Sequence, residues 1–174
     1  MLNPLLMMCV MSYVFTAIFQ SSIENFPLYL ICGQTLWNCF NESTTTAMYS
    51  VLQNGALMKK VYIPKYIFPV SRVLSSFVTM SFSLIAVLIV ILFARAAVYP
   101  TILLFWIPVV LLFVFSCGVG LLLSALSVYF RDITHLYSVL TLAWMYATPV
   151  FYSIEILPPE VQSTILLNPM YYYL

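Results

Sequence analysis

Read for apolar and polar positions, the chain is a series of long uncharged runs parted by short polar or proline-bearing breaks. The runs cover residues 4–20, 27–50, 73–94, 102–128 and 136–153, and most approach the ~20 residues that a helix needs to cross about 30 Å of hydrocarbon. Their apolar positions are continuous, which excludes the alternating pattern of a membrane barrel. The predicted fold is all-α: a polytopic transmembrane helix bundle of about five spanning helices, forming a single domain over residues 1–174.

Two segments depart from this pattern. In residues 154–174, Pro158, Pro159 and Pro169 surround the apolar stretch 161–167, which is too short to span and predicts a short re-entrant helix dipping into the outer interface. In residues 46–60, helical spacing sets Met48, Val51, Leu52 and Ala56 on one side and Gln53, Asn54, Lys59 and Lys60 on the other, the pattern of an interfacial helix. Such a helix has two uses, a basic membrane anchor or a cytoplasmic element that docks into a partner.

Composition turns the pattern into a class. With 64% hydrophobic and 6% charged residues, against roughly 45–50% and 25% in soluble domains, too few charges exist to cover a water-facing surface. A net charge of +1, with no basic run interleaved with aromatics, excludes nucleic-acid binding. The few charges also set an orientation, because short loops rich in Lys and Arg stay in the cytoplasm. Lys59, Lys60, Lys65 and Arg72 gather between the second and third runs and Arg131 between the fourth and fifth, with Arg95 the one basic residue on the other side. The N-terminus is thus expected inside and the C-terminus outside. The first run has no basic flank and no small-residue cleavage site, unlike a removable signal peptide. An odd number of spans implies a further returning span, and the closing run Tyr171, Tyr172, Tyr173, Leu174 without a charged tail reads as a truncation.

Candidate chemistry is sparse. His135 is the single histidine, and Cys9, Cys32, Cys39 and Cys117 lie in apolar stretches without paired spacing, so neither a metal site nor a catalytic triad is expected. No G-x-x-x-x-G-K-[ST] loop occurs, so no cofactor is expected on this chain, and any nucleotide chemistry, with its ATP and Mg, would belong to a partner. Glu42 falls about 22 Å along the second predicted helix, among Asn38, Asn41, Ser43, Thr44 and Thr45. It either faces a bundle interior or aqueous path, or marks where the helix leaves the membrane. Ser116, Gly120 and Ser124 recur every four residues, a spacing for close helix approach in lipid. Adjacent Arg131 and Asp132 read most simply as charges offsetting one another at the surface. Aromatic residues such as Phe26, Tyr29, Tyr99, Trp106, Phe151 and Tyr152 fit interfacial belts, the alternative being a path on which flat rings stack against sugar or lipid.

Several runs then stand in a fixed order: Asn3-Pro4-Leu5-Leu6-Met7, Leu36-Trp37-Asn38-Cys39-Phe40, Asn54-Gly55-Ala56-Leu57-Met58-Lys59-Lys60-Val61-Tyr62-Ile63-Pro64, Tyr129-Phe130-Arg131-Asp132-Ile133, Thr148-Pro149-Val150-Phe151-Tyr152 and Leu167-Asn168-Pro169. In this order and placement the chain resembles the type-2 ABC transporter permeases, in the branch that exports O-antigen polysaccharide, teichoic acid or related lipid-linked glycans. The resemblance implies a non-enzymatic, multi-pass transport subunit of the bacterial inner membrane that moves a lipid-linked glycan, with ATP hydrolysed by a separate cytoplasmic ABC ATPase. It implies a homodimer around a central path. It also implies a coupling helix within residues 54–64, so that Asn54, Leu57, Lys59 and Lys60, joined by Arg131 and Asp132 in the second cytoplasmic loop, are the expected ATPase contacts. Trp37, Glu42, Tyr146, Phe151 and Tyr152 are the expected path residues. The family's usual first element, a basic amphipathic helix, and its sixth span have no counterpart in the sequence. An exporter of drugs or simple lipids would share this fold. An ion-coupled secondary transporter would carry several ionisable groups at mid-membrane depth, where only Glu42 qualifies, and a membrane-embedded glycan enzyme would turn over a lipid-linked sugar with no ATPase present.

Overall fold

The computed structural model describes residues 26–94, 104–150, 158, 162–163 and 165–173. All the regular structure among them is helical. Helix α1, Phe26–Gln53, runs for 28 residues, about 42 Å at 1.5 Å per residue. Its polar stretch does not break it, because the hydroxyls bond back to the helix's own carbonyls and need no water. Ser43 Oγ and Thr44 Oγ1 donate to the Phe40 carbonyl at 2.9 and 2.8 Å, and Thr46 Oγ1 donates to that of Glu42 at 2.8 Å.

The helix stops at Asn54, where the side-chain Nδ2 donates to the Ser50 carbonyl at 2.7 Å and the backbone takes φ −98°, ψ 13°. A single turn, α2 (Gly55–Met58), follows. The segment 46–60, expected as an interfacial helix, is thus helical over 46–53 and 55–58 and parted at Asn54. The Ser50 carbonyl accepts from both the Asn54 amide at 3.2 Å and its side chain, and Gly55, a weak helix former, follows; Met48 sits buried with α1 while Leu52 and Ala56 are exposed.

Helix α3, Ile67–Ala94, begins six residues earlier than the expected 73, because Pro69 lies in its first turn, where no amide donor is required. Helix α4, Trp106–Tyr129, closes at an extended Phe130, and α5, Ile133–Tyr146, follows after a tight turn at Arg131 and Asp132. The fifth span expected over 136–153 is shorter as a helix. Fourteen residues reach only about 21 Å, and the chain passes into turns over 147–150 because Pro149 disfavours helical backbone at Thr148 and offers no amide of its own. The expected run 4–20 lies outside the described residues. In the tail, Gln162, Ser163 and Ile165 are helical, and a 3-10 helix, Pro169–Tyr172, follows.

Two helical segments, Ile67–Ile85 and Trp106–Tyr129, are long and apolar enough to cross a membrane. The distribution of polarity on α4 says more than its length. Its buried face carries Ser116, Gly120, Ser124 and Ser127 beside Val109, Leu112 and Leu123, while Ile107, Val110, Val114 and Leu122 are exposed. A water-soluble helix has the reverse arrangement. Small and hydroxyl-bearing residues confined to the packed face, with branched apolar residues covering the outer one, is the solution for lipid, where association comes from close packing rather than from hiding apolar surface.

Helix α1 packs most extensively against α3 and α4. Gly120 is the tightest point: a Cβ there would stand 2.9 Å from that of Ala47 on α1 and 3.4 Å from Val73 Cγ2 on α3. Beside it, Ser127 Oγ donates to the Met48 carbonyl at 2.9 Å, pinning the last turn of α4 to α1. The α2 turn and the Arg131–Asp132 turn consequently lie at the same end of the bundle.

Candidate functional site

The basic end presents the expected coupling residues on short, exposed elements. Leu57 projects from the one-turn α2, Lys59 and Lys60 follow it into solvent, and Asn54, half-buried, anchors the turn through Ser50. Arg131 and Asp132 are exposed in the second turn. Asp132 takes the N-cap position of α5 without a side-chain bond; its carbonyl instead accepts from the amides of His135 and Leu136, both at 3.1 Å.

A groove of about 300 Å³ runs between α1 and α5, starting beside the Arg131–Asp132 turn at Thr134 and Tyr49 and extending to Trp37 and Met145. Asn41, Thr45, Tyr49, Thr134 and Ser138 contribute polar groups to its lining, and Trp37 contributes a ring. Its wall is fixed by Tyr137, whose hydroxyl donates to Thr44 Oγ1 at 2.6 Å, while Thr44 donates onward to the Phe40 carbonyl. Periodicity gives no sign of this cross-helix bond. Replacing Tyr137 by Phe should lower stability by about 0.6–1.7 kcal/mol, the range found for interhelical hydrogen bonds in membranes, measured by unfolding in mixed micelles. A Tyr137→Phe/Thr44→Val double mutant should then be less destabilised than the sum of the single changes.

The expected path residues separate. Trp37 is 2% exposed and belongs to an aromatic cluster with Phe40, Phe115 and Trp144, in which Phe40 stacks on Phe115 at 5.6 Å and meets Trp144 edge-on at 5.5 Å. Glu42 points away from that core. It is exposed, in a shallow polar groove with Asn38 and Thr35 of α1 and Ser76, Thr79 and Ser83 of α3, and α1 continues for eleven residues beyond it. Tyr146 is exposed at the end of α5. Phe151 and Tyr152 lie outside the described residues.

One node went unrecognised in the residue pattern. Asn168 Oδ1 accepts from Trp144 Nε1 at 2.8 Å and from the Met170 amide at 3.0 Å, and its Nδ2 donates to Thr148 Oγ1 at 2.9 Å. Tyr173 lies 5.7 Å from Phe115. The tail is thus tied by one amide side chain to the end of α5 and to the aromatic cluster. An Asn immediately before a Pro at a helix start is a recognisable cap signal, but its second partner 20 residues away has no local signature. Among the described residues no group of His, Cys, Asp and Glu is placed to hold a metal.

Lipid-facing apolar residues, small polar residues between helices and exposed basic turns at one end define an integral helical membrane protein. The chain belongs to the ABC-2 type transporter family, which it matches over residues 1–174. It is similar to two proteins of Klebsiella pneumoniae, each named O-antigen export system permease protein RfbA and 28% identical over 171 residues, or 97% of this chain and 65% of theirs. The protein of the same name from Myxococcus xanthus is 31% identical over 173 residues, 97% of this chain and 66% of its own length. The chain thus spans just under two thirds of the length of these curated relatives.

Proposed function

We propose that this chain supplies the membrane-spanning part of an ATP-driven exporter that carries a lipid-linked polysaccharide out across the bacterial cytoplasmic membrane. The observation that carries the reading is the reach of α1. One rod of about 42 Å leads at one end to the exposed turn bearing Leu57, Lys59 and Lys60 and, further along, lines with Asn41, Thr45 and Tyr49 a groove whose walls also include Met48, Leu142 and Met145. A force applied to the turn crosses one break, at Asn54, whose Nδ2 bond to the Ser50 carbonyl ties the turn to α1, and is then carried along α1 to the groove. The names of the similar proteins favour O-antigen-type glycan over drugs as cargo, and the Asn41 amide with the Thr45, Tyr49, Thr134 and Ser138 hydroxyls set along a largely apolar groove suits a sugar carried on a lipid.

In this mechanism the basic end faces the cytoplasm and a separate ABC ATPase docks on α2 and on the Arg131–Asp132 turn. ATP binding and hydrolysis there move α2, α1 transmits the motion, and no bond is made or broken in this subunit. A second copy completes the path. Charge reversal in the full-length permease, Lys59→Glu with Lys60→Glu, should reduce the co-purifying ATPase and surface-glycan export at least tenfold while leaving membrane insertion intact. Undiminished export in that variant, or a full-length protein that never retains a nucleotide-binding subunit, would refute the coupling role. Gene deletion should deplete surface glycan; a change confined to drug sensitivity would favour a drug exporter of the same fold.

A further inference from the structure

The basic end of the bundle carries a second groove, distinct from the one between α1 and α5. It opens between the last turns of α1 and α4 and the approach to α3, with a volume of about 280 Å³. Val51, Leu121 and Val128 line it with branched apolar side chains, and Lys65, Tyr66 and Tyr129 add an ammonium and two phenols. Lys65, Tyr66 and Tyr129 are all exposed. The charge at this end is predominantly basic: Lys59, Lys60, Lys65, Arg72 and Arg131 gather there against one carboxylate, Asp132, beside Arg131.

These features select one kind of occupant. A soluble anion would meet Lys65 but leave the apolar wall wetted. A neutral lipid would cover the wall but leave the ammonium without a counter-charge. A molecule that is both anionic at its head and apolar below it satisfies both, at the depth where spanning helices end and Tyr and Lys side chains reach the headgroups. Basic pockets between helices on the cytoplasmic side are suited to acidic headgroups for the same reason. We propose that this groove binds an anionic phospholipid, its phosphate held by Lys65 with the Tyr66 and Tyr129 hydroxyls and an acyl chain lying along Val51, Leu121 and Val128. The site rests on the membrane placement of the bundle and on its basic end meeting the inner leaflet, not on export.

Native mass spectrometry of the delipidated full-length permease in neutral detergent tests this, with phosphatidylglycerol and phosphatidylcholine as probes. Phosphatidylglycerol should be retained several-fold better than phosphatidylcholine. Lys65→Gln should lower phosphatidylglycerol binding about fivefold, the effect of one basic side chain near an acidic headgroup. Leu121→Trp, which fills the groove, should lower binding of both lipids, and Lys59→Gln with Lys60→Gln, outside the groove, should leave both unchanged. Equal retention of the two lipids would overturn the site, as would full binding by Lys65→Gln. An equal loss on changing Lys59 and Lys60 would also overturn it, since binding would then be diffuse surface attraction. Because the readout is lipid retention, a negative result leaves the export reading standing, and a failed export assay leaves this site standing.

Discussion

Gly120→Leu is expected to abolish the folded permease, and Gly120→Ala to destabilise it by about 1–3 kcal/mol, the usual effect of forcing extra carbon into a close-packed interior. A Cβ at this position meets that of Ala47 at 2.9 Å, well inside the roughly 3.5–4.0 Å at which two carbon atoms attract. Neither atom can rotate away, because a Cβ is fixed by its backbone, so α1 and α4 must separate. Separation would also stretch the Ser127 bond to the Met48 carbonyl. Size-exclusion profiles and thermal unfolding in detergent should show aggregation for the Leu variant and a lowered midpoint for the Ala variant. Ala47→Gly should restore most of the midpoint in the Gly120→Ala background, since the glycine would only have changed sides. If Ala47→Gly adds to the damage instead, the contact is not what limits that crossing.

Asn168→Ala should release the tail from the bundle. The substitution removes the acceptor for Trp144 Nε1 and the Met170 amide and the donor to Thr148, a combined loss of about 2–3 kcal/mol if each bond contributes near 1 kcal/mol. Asn168→Asp keeps both bonds to Oδ1 but sets an oxygen against the Thr148 hydroxyl, which already donates to the Trp144 carbonyl at 2.8 Å, so its effect should be intermediate. Hydrogen exchange at Met170, Tyr171 and Tyr173 should rise in the order Asn, Asp, Ala. A double-mutant cycle with Trp144→Phe should return a coupling of about 1 kcal/mol. An unchanged exchange pattern in Asn168→Ala would mean that the tail is held by the Tyr173–Phe115 ring contact and not by the amide.

The helices themselves were legible. The run 27–50 became Phe26–Gln53, and 102–128 became Trp106–Tyr129 over the residues described, because hydrocarbon leaves the backbone no other way to satisfy its hydrogen bonds. The element bounds shifted where one residue redirects the chain: Pro69 admitted to the first turn of α3, Pro149 closing α5 early. The spacing of Ser116, Gly120 and Ser124 was informative because small residues in an apolar helix have few uses other than contact. Trp37 and Glu42 were harder to place. With apolar side chains on both the lipid and the packed faces, no amphipathic phase says which way a given residue turns.

The sequence by itself determined that this chain lives in a membrane as a bundle of helices with all its cations but Arg95 at one end, since too few charges cannot cover a surface in water and continuous apolar runs cannot be left exposed to it. Only the tertiary structure decided which residues meet. The opposition of Gly120 to Ala47, the bond from Tyr137 to Thr44, the three-way hold of Asn168 and the outward turn of Glu42 all depend on the rotation and crossing of helices about one another. In lipid that geometry is set by shape and by a few polar contacts, and neither is written in the order of apolar residues along the chain.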